Sequence, residues 1–225
     1  GAGAQSGTTT HTIDQSIRFN DDDSAYMYRN VDAPAFGNKY TMSFWAKFTN
    51  SDDYRRIITF RDKRGSGYPY GFLRLEKSDD SSSFQLTIFE YDTAISSNYP
   101  VYVVSAMKFR DYAAWYHIVV AIDTTQATAS NRCRIYVNGV EETSLDSPTY
   151  HNQNTNLSIR GTHYIGRYYG TNDHWFSGSL SHLHFIDGTN YNATAFGSTD
   201  ATTGEWKINT SPSVTYGTNG FFILK

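Results

Sequence analysis

The feature that most constrains this 225-residue chain is the stretch from Trp115 to Thr143, WYHIVVAIDTTQATASNRCRIYVNGVEET. Alternation in its first segment puts Trp115, His117, Val119 and Ala121 on one face and Tyr116, Ile118, Val120 and Ile122 on the other. Both faces are apolar, which predicts a strand lying inside a layered protein. The run Cys133-Arg134-Ile135-Tyr136-Val137 alternates too, and Asn138-Gly139 supplies the two positive-φ positions that a two-residue type I′ hairpin turn requires. Val140 to Thr143 is then the returning strand.

The rest of the chain reads in the same way. Strands are expected over Ser16 to Asn20 and Ala25 to Arg29, on either side of the acidic turn Asp21-Asp22-Asp23. Tyr40 to Thr49 alternates, with Met42, Phe44, Ala46 and Phe48 facing one way and Thr41, Ser43, Trp45 and Lys47 the other. This pattern predicts a half-buried strand that carries Trp45 outward. Further strands are expected over Arg56 to Arg61, Tyr70 to Lys77, Phe84 to Tyr91, Asn156 to Arg160, Tyr164 to Arg167, Leu180 to Asp187 and Gly220 to Leu224. Tyr99 to Phe109 reads as a strand or a packed connection, and one helical turn is expected near Tyr191 to Phe196. About a dozen strands, turn-rich clusters such as RDKRGSGYP and KSDDSSS, and no sustained 3.6-residue period predict an all-β, two-sheet antiparallel jelly-roll sandwich. The small-residue start, residues 1–14, reads as linker or a processing remnant, and residues 15–225 as a single domain with a C-terminal strand extension.

Composition narrows the partners. A net charge of −3 argues against nucleic acid, which demands a clustered positive surface. No run approaches the roughly 20 apolar residues that cross a bilayer, so membrane insertion is not expected. Cys133 is the only cysteine, so no intrachain disulfide can form, and its inward position reads as a small buried hydrophobe.

The strings W-Y-H-I-V-V-A-I-D … R-I-Y-V-N-G-V, then H-Y-I-G-R, then F-S-G-S-L-S-H-L-H-F-I-D resemble the laminin-G-like branch of the concanavalin A-like lectin/glucanase superfamily. Ser16 to Tyr26 and Tyr40 to Lys47 fit the same pattern in the same order, so the resemblance covers residues 15 to 190. The closing phrase D-A-T-T-G-E-W-K … Y-G-T-N-G-F-F is similar to the segment C-terminal to such domains in bacteriophage virion proteins. Together these imply a concanavalin A-like jelly roll on a phage tail fibre, tail appendage or capsid, working extracellularly at the virion surface. The expected partners are host cell-surface glycan and other virion proteins, within a homo-oligomeric assembly. A purely structural decoration or assembly domain is the alternative.

Three residue groups bear on chemistry. Glucanase relatives carry acids two apart on one strand face, so that one attacks while the other donates a proton. Glu90-Tyr91-Asp92 supplies half of such a pattern, but Thr93, Ala94 and Ile95 follow where a third acid is needed. A glycan hydrolase is therefore the minor reading and a non-enzymatic module the major one. Asp21, Asp22 and Asp23 are hard oxygen donors crowded into one turn, as a calcium site requires, and several laminin-G-like relatives bind calcium. In the loop from Arg167 to Trp175, Tyr168, Tyr169 and Trp175 offer flat faces for a pyranose while Asn172 and Asp173 can bond its hydroxyls. These five are the candidate ligand-binding residues. His182 and His184, two apart, read as an outward polar face opposite Leu183 and Phe185, because no third metal ligand is placed beside them or beside His163 and His174. His117 reads as a satisfied interior or interface histidine. On this reading the hairpin is scaffold, and function belongs to the loops around Asp21 and Tyr168.

Overall fold

The central strand is buried along its whole length, with all eight residues of Tyr116–Asp123 shielded from solvent. The computed structural model describes residues 13–31, 37–49, 55–61, 70–77, 83–91, 101–157, 161–170 and 174–224. Its strands are β1 (Ile17–Phe19), β2 (Met27–Val31), β3 (Lys39–Phe48), β4 (Arg55–Arg61), β5 (Tyr70–Lys77), β6 (Phe84–Tyr91), β7 (Val101–Ser105) and β8 (Tyr116–Asp123). After these come β9 (Cys133–Val137), β10 (Val140–Glu141), β11 (Leu145–Thr149), β12 (Gly161–Ile165), β13 (Gly178–Asp187), β14 (Gly197–Thr199), β15 (Trp206–Ile208) and β16 (Phe221–Ile223). Short 3-10 turns occupy Ala129–Arg132 and Ala193–Ala195, the second at the expected helical turn.

Two seven-stranded antiparallel sheets stack as a sandwich. One runs β1-β13-β3-β8-β9-β10, with β16 also pairing β13; the other runs β11-β7-β6-β5-β4-β12-β2. Between them lie the inward sets the alternation predicts. Met42, Phe44, Ala46 and Phe48 of β3 and Ile118, Val120 and Ile122 of β8 meet Ile58, Phe60, Leu73, Leu75, Leu86 and Ile88 of the facing sheet. Asn138 and Gly139 both have positive φ, 48° and 83°, and the register Val140 to Val137 confirms the two-residue turn.

The outer face of the first sheet departs from expectation. Thr41, Ser43 and Trp45 are buried, as are His182 and His184, so neither β3 nor β13 is half-exposed. The cover is a third layer made by the chain after β13. Ala193 and Phe196, with Tyr191, Trp206, Val214 and Tyr216, pack on Val119, Ala121, Tyr136 and Ile186. The two-stranded β14-β15 ribbon belongs to this layer. The pairing of β13 with β3 shifts register between Ser181 and His184, and His182 takes a left-handed φ of 44°. This bulge breaks the strict alternation on which the shared face of His182 and His184 rested. His182 Nδ1 lies 2.7 Å from Ser181 Oγ, and His184 Nδ1 lies 2.8 Å from Tyr216 Oη.

Two strand boundaries also differ. The return after Gly139 is only two residues long, and an unexpected strand, Leu145–Thr149, pairs with β7. Asn156 and Leu157 form no strand, and Ser158 to Arg160 lie outside the described residues. β11 is largely exposed, so it lacks the apolar signature by which a strand is read.

Candidate functional site

The two loops singled out by sequence come together at one edge of the second sheet. β1 belongs to the first sheet and β2 to the second, so the acidic turn crosses between layers. Arg55, at the start of β4, binds both loops: its Nη1 lies 2.8 Å from Asp21 Oδ2 and donates to the Trp175 carbonyl at 2.9 Å. Burial raises the Asp21 pKa, but the Arg55 charge and hydrogen bonds from its own backbone, Ser177 and Arg55 outweigh that and hold the carboxyl below its ordinary value.

Calcium fits this turn poorly as it is built. The Asp21 carboxylate already faces a guanidinium, and Asp23 Oδ2 accepts from Asn20 Nδ2 at 2.9 Å. Among the described residues no three His, Cys, Asp or Glu side chains converge as a metal site would need. Melting curves recorded with calcium and with chelator are expected to coincide. A higher midpoint in calcium, lost on Asp21→Asn, would reinstate the turn as a cation site.

The Arg167–Trp175 loop divides its aromatics between two jobs. Tyr168 and Tyr169 pack against each other at 4.7 Å and back onto β4, with the Arg56 guanidinium 5.2 Å from the Tyr168 ring and that of Arg61 4.6 Å from Tyr169. They anchor the loop. Asn172 and Asp173 lie outside the described residues. Trp175 joins a different group, with its ring 5.8 Å from that of Tyr26. Tyr26 in turn neighbours Tyr28 and Tyr164 at 6.3 and 6.4 Å.

Arg167 sits among these rings, its guanidinium 4.7 Å from Tyr26, 5.0 Å from Trp175 and 5.4 Å from Tyr164. Its Nε donates to the Tyr168 carbonyl at 2.8 Å, and its own carbonyl accepts from Thr59 Oγ1 at 2.9 Å. The aromatic rings and the two backbone bonds hold the side chain in place. No carboxylate pairs with it among the described residues, so its Nη groups remain available as a planar fork of donors. Tyr26 is 42% exposed and Tyr28 61%, so the patch opens to solvent. Flat apolar faces beside a fixed multi-donor group can hold a polyhydroxylated ring.

Sequence reasoning missed Tyr26, Tyr28, Tyr164, Arg55 and Arg167. A local signal existed for the first two, since residues two apart share a strand face. Tyr164 joins them only through register, as the direct cross-strand partner of Tyr28.

Of the paired acids, Glu90 lies inside the molecule at 6% exposure, where its Oε1 accepts from Tyr40 Oη at 2.6 Å and its Oε2 lies 3.3 Å from His151 Nε2. Burial and this hydrogen-bonded carboxylate push the Tyr40 hydroxyl well above its ordinary pKa. A carboxylate so enclosed links the two sheets through Tyr40 of β3 and Glu90 of β6. Asp92 lies outside the described residues.

Against this geometry, residues 20–194 match the family model described as the concanavalin A-like lectin/glucanases superfamily. No curated protein matches the chain in sequence. Among solved structures, the fold is similar to domains LG4-5 of the mouse laminin alpha1 chain, at 10% identity and a TM-score of 0.50, over 92% of this chain and 46% of that one. It is also similar to tailspike protein 2 of the Escherichia coli O157:H7 bacteriophage CAB120, at 8% identity and a TM-score of 0.51, over 77% of this chain and 22% of the tailspike. A third likeness is to the NanB sialidase of Streptococcus pneumoniae, at 14% identity and a TM-score of 0.51, over 84% of this chain and 29% of the sialidase. The chain thus spans less than half the length of each, and at these identities the likeness is one of fold.

Proposed function

The chain belongs to the concanavalin A-like lectin/glucanases superfamily, and from that premise we propose that it is a non-enzymatic glycan-binding module carried on the surface of a bacteriophage virion. The observation that carries the binding part is the solvent-open group of Tyr26, Tyr28, Tyr164 and Trp175 around the Arg167 guanidinium. The rings cover the C–H faces of a sugar while the guanidinium satisfies hydroxyl or carboxylate oxygens that would otherwise lose their water. The non-enzymatic part is supported by the enclosure of Glu90 between Tyr40 and His151. The virion part is supported by the phage-like closing phrase, which builds the third layer.

Binding of the native oligomer to a glycan array and to host cells tests this reading. Arg167→Ala and Tyr28→Ala are expected to weaken binding about tenfold or more each, the scale of one lost charge-assisted or stacking contact. Loss of binding with an unchanged melting midpoint supports the site. Absence of binding by wild type to any glycan or host cell overturns it, and release of reducing ends that depends on Glu90 overturns the non-enzymatic part. A second reading draws on the position of the patch, since β2 is an edge strand and carries the exposed Tyr28. A neighbouring virion protein could add a strand there. In that case Tyr28→Ala would impair assembly and leave glycan binding intact.

A further inference from the structure

At the opposite layer of the molecule, the Asn-Gly hairpin turn and the β14-β15 ribbon enclose a cleft of about 630 Å³, within the range of about 300–1,000 Å³ typical of small-ligand sites. Three of the four tryptophans of the chain, Trp45, Trp115 and Trp206, line it together with Asn138, Thr199 and Glu205.

Two of the rings are held rigidly. Trp45 stacks on His117 at 5.1 Å and 27°, and Trp206 stacks on the same imidazole at 5.9 Å and 20°. Trp206 also donates from its Nε1 to His117 Nδ1 at 2.9 Å. A ligand entering the cleft therefore meets aromatic surface that loses little conformational freedom on binding.

Several polar groups around the cleft are unspent. The Trp45 Nε1–H is buried and has no hydrogen-bond partner among the described residues. Asn138 uses its Oδ1 to accept from the His117 backbone N–H, which leaves its amide N–H₂ uncommitted. The Glu205 carboxylate faces no basic partner among the described residues; only the backbone of Glu205 is engaged, by Thr203 and Asp200.

We propose that this cleft is a second binding site, separate from the Arg167 patch, for an uncharged sugar residue such as a hexose or N-acetylhexosamine. The indole faces cover the apolar side of the ring. Sugar hydroxyls accept from the Asn138 amide and donate to Glu205. The unpaired carboxylate of Glu205 disfavours acidic sugars at the same place.

The test tracks the assigned indole N–H signals of the full chain by ¹H–¹⁵N spectroscopy. The probes are the methyl glycosides of galactose, glucose, mannose and N-acetylglucosamine, with glucuronate as the acidic comparison. At least one neutral glycoside is expected to shift the Trp45 and Trp206 signals. Trp115→Ala should weaken that binding about tenfold, Glu205→Gln should weaken it less, and both should melt with wild type. Arg167→Ala should leave it unchanged, so the cleft and the Arg167 patch stand or fall separately. If none of the four neutral glycosides moves these signals, or if Trp115→Ala and Glu205→Gln bind as wild type does, the proposal is overturned. Preference for glucuronate over the neutral sugars would overturn its charge assignment.

Discussion

Replacing His117 with alanine is expected to lower the unfolding free energy by about 3–5 kcal/mol, the range for losing a buried hydrogen-bonded group together with its packing. The imidazole is 1% exposed and is used on every side. Trp206 Nε1 can only donate, so His117 Nδ1 accepts; His117 Nε2 then carries the proton and donates to Ser43 Oγ at 2.9 Å. Its ring also separates Trp45 from Trp206. The alanine variant leaves a void between two indoles and strands the Trp206 donor. Urea melts monitored by tryptophan fluorescence measure the loss directly, and a change below about 1 kcal/mol would mean that the third layer is not fastened through this residue.

The same histidine predicts a dependence on pH. Burial first, and then the neighbouring His184 and His182, lower its pKa from 6.5 to about 3. Between those values the unfolded chain binds a proton that the folded chain refuses, so stability rises with pH across this window. The contribution is complete above about pH 6.5 and is lost as pH falls toward 3, amounting to about 3 kcal/mol between pH 7 and pH 4. Asp21 and Asp123, whose folded pKa values are also lowered, add acid sensitivity that begins below their ordinary 3.8. His117 thus contributes to the slope from 6.5 down to about 4, and in His117→Asn that slope should be reduced.

Gly139→Ala is expected to cost more than the usual penalty of a turn glycine. At φ 83° any L side chain carries strain of about 1 kcal/mol. Here a Cβ would also stand 2.3 Å from the Trp206 ring, which is pinned by its bond to His117 and cannot swing away cheaply. The two effects together suggest a loss of about 3 kcal/mol or more. If the alanine variant melts within a degree or two of wild type, the hairpin turn and the C-terminal layer are in looser contact than this packing implies. A double mutant with Trp206→Ala should recover part of the loss, because the clash disappears while the φ strain remains.

These variants explain why some of the molecule was legible in advance and some was not. The alternation in Trp115 to Asp123 correctly announced a strand covered on both sides, and Asn138-Gly139 correctly announced the turn, because both signals are local. The same rule failed for Thr41, Ser43 and Trp45. Their face looks half-polar, yet it is covered by residues more than a hundred positions away, and the hydroxyls of Thr41 and Ser43 find partners in distant segments of the chain. Thr41 Oγ1, for example, donates to the Thr189 carbonyl and accepts from the Tyr191 backbone. His182 and His184 misled for another reason, since one bulged residue on β13 is enough to break a period-2 argument.

The candidate site divides along the same line. Trp175 was visible as an aromatic in a hydrogen-bonding loop, and the turn at Asp21 as a cluster of charge. That Arg55 ties the two together, that Tyr164 lies across from Tyr28, and that Tyr168 and Tyr169 serve as anchors all depend on which strands are neighbours. The hairpin turn, which sequence presented as scaffold alone, also lines the tryptophan cleft.

By itself, the sequence determined the all-β class, the alternating inner faces of the sandwich and the place of the Asn-Gly turn, since each arises from side-chain period and backbone φ within a few residues. Only the tertiary structure decided that a third layer covers β3, β8 and β13, that Glu90 is enclosed, and that the exposed aromatics gather around Arg167. Those outcomes rest on pairings between segments far apart in the chain, which hydrophobic burial and register set together and which no local pattern encodes.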